Sequence, residues 1–214
     1  ATAPGMTFLQ HHHTRHLQMK VRFSRWDDIL SVPAPPEEQL HARAMWHYAH
    51  GRALAARGDV EGASADLAVV RETAGDERIA PLRLEFNTAG QVLGIAAEVL
   101  AGHVEAARGE FDAAVRHLRE AARLEDGLTY GEPPDWSVPV RQELGLVLLR
   151  AGRAADAEAA FRADLDRFPD NGWSLHGLAQ ALEAQGRAAE ADAARDRFRA
   201  MWVGADVTLP SAAR

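Results

Sequence analysis

Apolar and small residues recur through the second half of the chain with a long fixed period. Counting Val138 as position 1, Leu144-Gly145, Leu148, Gly152, Ala157, Phe161 and Pro169 stand at positions 7, 8, 11, 15, 20, 24 and 32. A shift of 34 residues returns Leu178-Ala179, Leu182, Gly186 and Ala191 in the same places. Inside each period the shorter spacing is helical. Ala157, Ala160, Phe161, Leu165 and Phe168 follow one another at intervals of three and four, the apolar stripe of an amphipathic helix. The pattern predicts two helices per period, joined by a turn at Gly152 or Gly186. Small residues at positions 8 and 20 let the paired helices approach closely.

The same frame reaches back along the chain with interruptions. Gly51, Leu54, Gly58 and Ala63 fit one earlier unit, and Gly102, Gly109, Ala114 and Ala121 another. Gly58 closes one predicted helix and Asp59 caps the next. Gly58 to Gly109 spans 51 positions, 17 more than a period; the predicted cause is the Gly75 turn plus a long helix from Arg83 to Ala107. Gly109 to Gly152 spans 43, an excess of 9 that falls in residues 126–137, with Pro133-Pro134, Tyr130 and Trp136. Adjacent prolines exclude regular helix throughout that insert. A first, degenerate unit is expected from a helix over about Phe8–Phe23 and a turn plus short second helix within Ser24–Leu30, stopped by Pro33-Ala34-Pro35-Pro36. The expected organisation is a flexible end at 1–9, then one array over 10–203 divided as 10–33, 38–74, 84–125, 138–170 and 171–203. The insert stands at 126–137 and a polar tail at 204–214.

This period, with its paired helices and small-residue positions, resembles the tetratricopeptide (TPR) repeat. The resemblance implies an all-α fold of helix–turn–helix repeats stacked into a right-handed superhelix of about five helix pairs. Each pair buries its apolar face only against its neighbours. Val21–Leu30, Met45–Gly51, Glu132–Trp136 and Asn171–Leu175 are further similar to the C-terminal part of long bacterial TPR proteins, over about Val21 to Arg199. That likeness implies a scaffold with more repeats upstream and transfers no catalytic residue. The opening Ala-Thr-Ala-Pro-Gly fits a piece of such a longer array.

In TPR arrays the first helix of each pair lines the concave face. Carried onto this frame, the resemblance points to Trp173, His176, Gln180 and Glu183, then Gln142, Leu146 and Leu149, Val99 and His103, Met45, Tyr48 and Arg52, and His11, Thr14 and Gln18. A polar surface with aromatic anchors suits a peptide segment, a partner subunit or another part of a longer chain. The alternative is that Trp173 and Tyr48 pack on neighbouring repeats.

Composition narrows the classes. With 47% hydrophobic residues, few aromatics and no cysteine, the chain has ample core, no disulfide and no thiolate chemistry. A net charge of −7 argues against nucleic acid, which needs a basic stripe. No apolar run suits a membrane span. A cytoplasmic location is expected, the alternative being the periplasm or secretion after processing.

Two departures from the frame carry candidate chemistry. His12 and His16 are one helical turn apart, as are His47 and His50, and such pairs can present imidazoles to a divalent zinc, copper or nickel ion. The plainer alternative is solvent-exposed histidines, and Arg15 within the cluster opposes a cation. In the insert, Tyr130, Asp135 and Trp136 suggest a small-molecule pocket, with Asp135 between Pro134 and Trp136 a candidate buried carboxylate, or Asp135 is simply a cap for the helix that follows. No nucleophile elbow, zinc-protease motif or phosphate loop is present, so catalysis has little support.

Overall fold

The computed structural model describes residues 6–207 and Leu209; the rest of the expected flexible end and tail lies outside the described residues. Ten helices form among them and no strand: α1 (Thr7–Arg22), α2 (Trp26–Leu30), α3 (Leu40–Ala56), α4 (Val60–Gly75), α5 (Ala89–Arg108), α6 (Phe111–Asp126), α7 (Val140–Arg150), α8 (Ala154–Arg167), α9 (Gly172–Ala184) and α10 (Ala188–Met201). The all-α repeat architecture is as the periodicity predicts. The chain divides into two compact units, residues 1–138 and 139–214, and the division falls at the end of the insert.

Unit 1 contains α1 to α6 and the insert. The first helices α1, α3 and α5 pack side by side, and α4 lies against α3 and α5. Its core centres on Met45, Tyr48, Leu93, Ile95, Leu100 and Leu118. Gly58 and Gly109 end α3 and α5 with φ of 82° and 84°, left-handed values that cost glycine nothing. Asp59 caps α4 by accepting from the Gly62 N–H at 2.9 Å.

The long helix expected from Arg83 does not form. Residues 76–88 are an irregular loop with one isolated bridge, Arg83 to Thr88, and α5 starts only at Ala89. The reason is a capping box. Thr88 accepts from the Gln91 N–H while the Gln91 side chain accepts from the Thr88 N–H. Two otherwise orphaned donors are thereby satisfied, which fixes the start of the helix. The surplus of 17 residues is therefore absorbed mostly by loop. α1 begins at Thr7, inside the stretch expected to be a flexible end.

Unit 2 holds α7 to α10. Phe161 of α8 is fully buried between Gly145 of α7 and Gly177 of α9. A Cβ added at either glycine would stand 2.5 or 2.3 Å from that ring. Gly145, at a small-residue position of the repeat frame, and Gly177, outside it, therefore admit one large aromatic. A buried polar knot ties the same helices: Asp164 accepts from Ser174 Oγ at 2.5 Å and from Asn171 Nδ2 at 2.7 Å, and Asn171 also reaches Gln142 Oε1 at 3.3 Å. No described helix is long and apolar enough to cross a membrane.

Candidate functional site

The most distinctive site lies in unit 1, where the histidine-rich helix meets the insert. The buried stripe of α1 runs Thr7, His11, Thr14, Gln18 and Val21, at intervals of three and four. Polar residues thus occupy positions that an ordinary amphipathic helix gives to leucine. Two of them, His11 and Gln18, face the irregular segment 133–137, which the neighbouring Arg15 and Arg22 also reach. Arg15 donates to the carbonyls of Pro133 and Pro134, at 3.2 and 2.6 Å. Gln18 Oε1 accepts from the Ser137 N–H at 3.1 Å, and Arg22 donates to the Ser137 carbonyl at 3.3 Å. These contacts read the backbone of the segment. Pro133 and Pro134 have no N–H, so donors alone satisfy them.

Two insert side chains go inward. Asp135 is buried and accepts from both the backbone N–H and Nδ2 of Asn87, at 3.1 and 2.9 Å. Asn87 also pairs with Thr129 in both directions, so the 76–88 loop pins the insert at two points. Asp135 does not cap α7, whose N-cap is Pro139. Trp136 is buried with its ring edge-on to Tyr48, centroids 5.4 Å apart. Tyr130, expected beside them, stays 73% exposed and turns its hydroxyl to Glu132. A cleft of about 550 Å³ lies elsewhere, between the starts of α1 and α3 and the 76–88 loop, with Gln10, Leu40 and Ile79 among its lining. No insert residue lines it.

Beneath the segment runs a chain of three titratable groups. His11 Nδ1 and His41 Nε2 are 3.1 Å apart, and His11 Nε2 faces Asp135 Oδ1 at 3.7 Å. The carboxylate favours a proton on His11 Nε2, which makes His11 Nδ1 the acceptor of the His41 Nε2–H. Burial lowers His11 from 6.5 to about 4; the Asp135 charge opposes this, while Arg15 and His12 add to it. Burial, with His11 next to it, lowers His41 to about 3. Both imidazoles are neutral at pH 7.

The two histidine pairs named for metal binding engage different groups. His12 faces Glu85 at 3.9 Å, and His16 Nδ1 contacts the His13 carbonyl of its own helix at 2.8 Å. His47 and His50 direct their Nδ1 atoms to the two oxygens of Asp66, at 2.6 and 2.7 Å, with Trp46 stacked on His50. A carboxylate there requires Nδ1–H in both rings and leaves only each Nε2 to face a cation. Among the described residues, no group of three or more His, Asp or Glu is placed to hold a metal ion. Asp66 was missed from sequence, although a signal existed. It sits within the buried stripe Ala63, Asp66, Leu67 and Val70 of α4, where a carboxylate needs partners.

The predicted inner-face residues fare differently in the two units. In unit 1, His11, Thr14, Gln18, Met45, Tyr48 and Val99 are buried, Arg52 is 6% exposed and donates to the Tyr48 hydroxyl, and His103 is half-buried. In unit 2, Gln142 is buried, whereas Leu146, Leu149, Trp173, His176 and Gln180 are half-exposed and Glu183 is exposed. Trp173 packs on Trp202 and His176 on Phe198, ring centroids 4.8 and 5.2 Å apart. Glu183 pairs with Arg195 of α10.

Comparison with solved structures decides the fold. A crystal structure of nearly identical TPR-like repeats, named for a kinesin light chain of Podosopora anserina, matches with a TM-score of 0.52 at 16% identity, over 97% of this chain and all of that one (100%). The fold is a TPR-like helical repeat. A single-substitution form of the same protein gives 0.52 at 17%, over 93% of this chain and 95% of that one. The MamA protein is similar at 15% identity over 94% and 98%, with a TM-score of 0.44. No protein-family model matches the TPR-like chain, and no curated protein matches it.

Proposed function

We propose that the chain is a protein-interaction module whose first-helix faces hold extended peptide segments. The observation that carries this reading is that one such face is already filled. In unit 1, α1 holds the backbone of residues 133–137 through side-chain hydrogen bonds, Tyr48 of α3 packs on Trp136, and Asn87 of the 76–88 loop binds Asp135. The equivalent face of unit 2, on the adjacent helices α7 and α9, presents Leu146, Leu149, Trp173, His176 and Gln180 half-exposed. It is the face for a partner's segment: apolar contacts from the leucines and Trp173, and hydrogen bonds from Gln180 and His176.

Selection of peptides from a random display library on the immobilised chain tests this. Selected peptides are expected to bind wild type and to lose at least tenfold affinity for Leu149→Asp and for Gln180→Ala. Peptides that ignore both substitutions would place the binding face elsewhere.

A further inference from the structure

The segment in unit 1 has the character of a bound ligand more than of a core element. Its backbone is held by side chains spaced along one stripe of α1, at Arg15, Gln18 and Arg22. Only two of its side chains are read: a carboxylate, by Asn87 and His11, and an aromatic ring, by Tyr48. Glu132, Pro133 and Pro134 are exposed.

The fit is also incomplete. His11 Nε2 and Asp135 Oδ1 face each other at a distance too long for a hydrogen bond, and neither atom makes a well-formed hydrogen bond elsewhere, although the Asp135 backbone also lies against the His11 ring. Trp136 Nε1, Gln18 Nε2 and His41 Nδ1 are buried without a partner as well. Buried polar groups are normally satisfied, so each unmet one weakens the hold on this segment relative to a better-fitting one.

We propose that the α1–α3 face is a peptide site kept closed by residues 133–137, and that it opens to a partner protein's extended segment of the kind Pro-Pro-Asp-aromatic. This rests on the interaction reading above. The required chemistry follows from the face: prolyl carbonyls, with no N–H to place, for Arg15, a following peptide unit's N–H and carbonyl for Gln18 and Arg22, a carboxylate for Asn87 and His11, and a flat ring for Tyr48. A covalently attached competitor acts at an effective concentration of about millimolar. A weak free ligand therefore cannot enter the intact chain, whereas a segment that satisfies the unpartnered atoms can.

The test uses a fluorescein-labelled peptide of residues 131–138 and the full chain, read by anisotropy. Asp135→Ala with Trp136→Ala removes the attached competitor's two anchors, and this variant is expected to bind the peptide at least tenfold more tightly than wild type. Adding Arg15→Ala to it should reverse that gain. A folded double variant that binds no better than wild type overturns the proposal, as does binding that survives replacement of the peptide's own Asp and Trp by Ala. Should the double variant fail to fold, Asp135→Asn alone serves, with a gain of at least threefold expected and no gain overturning the proposal. Leu149→Asp in unit 2 is the control. It leaves this peptide unaffected, so failure here is separable from failure of the unit 2 reading.

Discussion

His41 and His11 are uncharged because they are buried, and their neutrality has a thermodynamic consequence. Both have folded pKa values below the ordinary 6.5, at about 3 and about 4. In the unfolded chain they take up protons as pH falls through 6.5, while the folded chain does not. The unfolded state then binds more protons, so stability is complete above pH 6.5 and declines as pH falls toward 4 and 3. The slope reaches at most about 1.4 kcal/mol per pH unit for each histidine. Urea unfolding at pH 7 and pH 5 is expected to show a clear loss for wild type and a smaller one for His41→Gln; equal losses would remove these residues from the account. Asp135 is the second residue-scale case. Asp135→Ala strands the backbone N–H of Asn87 and one of its two Nδ2 hydrogens, the other staying on the Thr129 carbonyl, at an expected cost of about 2 kcal/mol. The same denaturation at pH 7 measures it, and a change under 0.5 kcal/mol would contradict the geometry. None of this was legible residue by residue. His11, Gln18 and Asp135 stood out in the sequence, but Arg15 reaches carbonyls 118 and 119 positions away. Backbone carbonyls are common to every residue, so such contacts leave no motif.

At the scale of elements the sequence was far more legible, because packing restricts side-chain size at fixed spacing. Gly145 is small where the frame requires it, and the structure supplies the cause in the Phe161 ring beside it; Gly177, two positions before Ala179 and outside the frame's marked positions, makes room on the other side of that ring. Gly177→Ala pushes a methyl group into that ring and is expected to cost about 1–3 kcal/mol, as overpacking does. Phe161→Leu in the same chain should recover part of the loss, and a double-mutant cycle by thermal unfolding reads both. The start of α5 shows where legibility failed. Apolar spacing alone extended that helix to Arg83, whereas the Thr88–Gln91 box sets the boundary. Thr88→Ala is expected to cost about 1 kcal/mol. The insert's break in the helical pattern was visible from its prolines, but its destination was not. What it packs on is set by a loop, residues 76–88, whose second half, from Arg83, the periodicity had drawn as helix.

For the whole molecule, the relevant property is that each unit has its own core. Met45, Tyr48 and Leu93 belong to unit 1, and Phe161, Leu175 and Leu182 to unit 2. In helical repeats, stability is approximately a sum of unit terms and nearest-neighbour terms, and partial opening is a normal mode. A fault placed in one unit should therefore lower that unit's protection preferentially. Native-state hydrogen exchange on Gly177→Ala tests this at single amides. Exchange at Val147, Leu148 and Leu182 is expected to rise about tenfold for each 1.4 kcal/mol lost. Amides of Tyr48, Ala49 and Leu93 should change by less than threefold. An equal rise in both sets would mean that the chain opens only as one cooperative body. The closed face of unit 1 could then not open while unit 2 stays folded, and spontaneous release of residues 133–137 would require global unfolding. Unequal exchange would leave room for the segment to exchange locally, on the timescale of local opening rather than of unfolding.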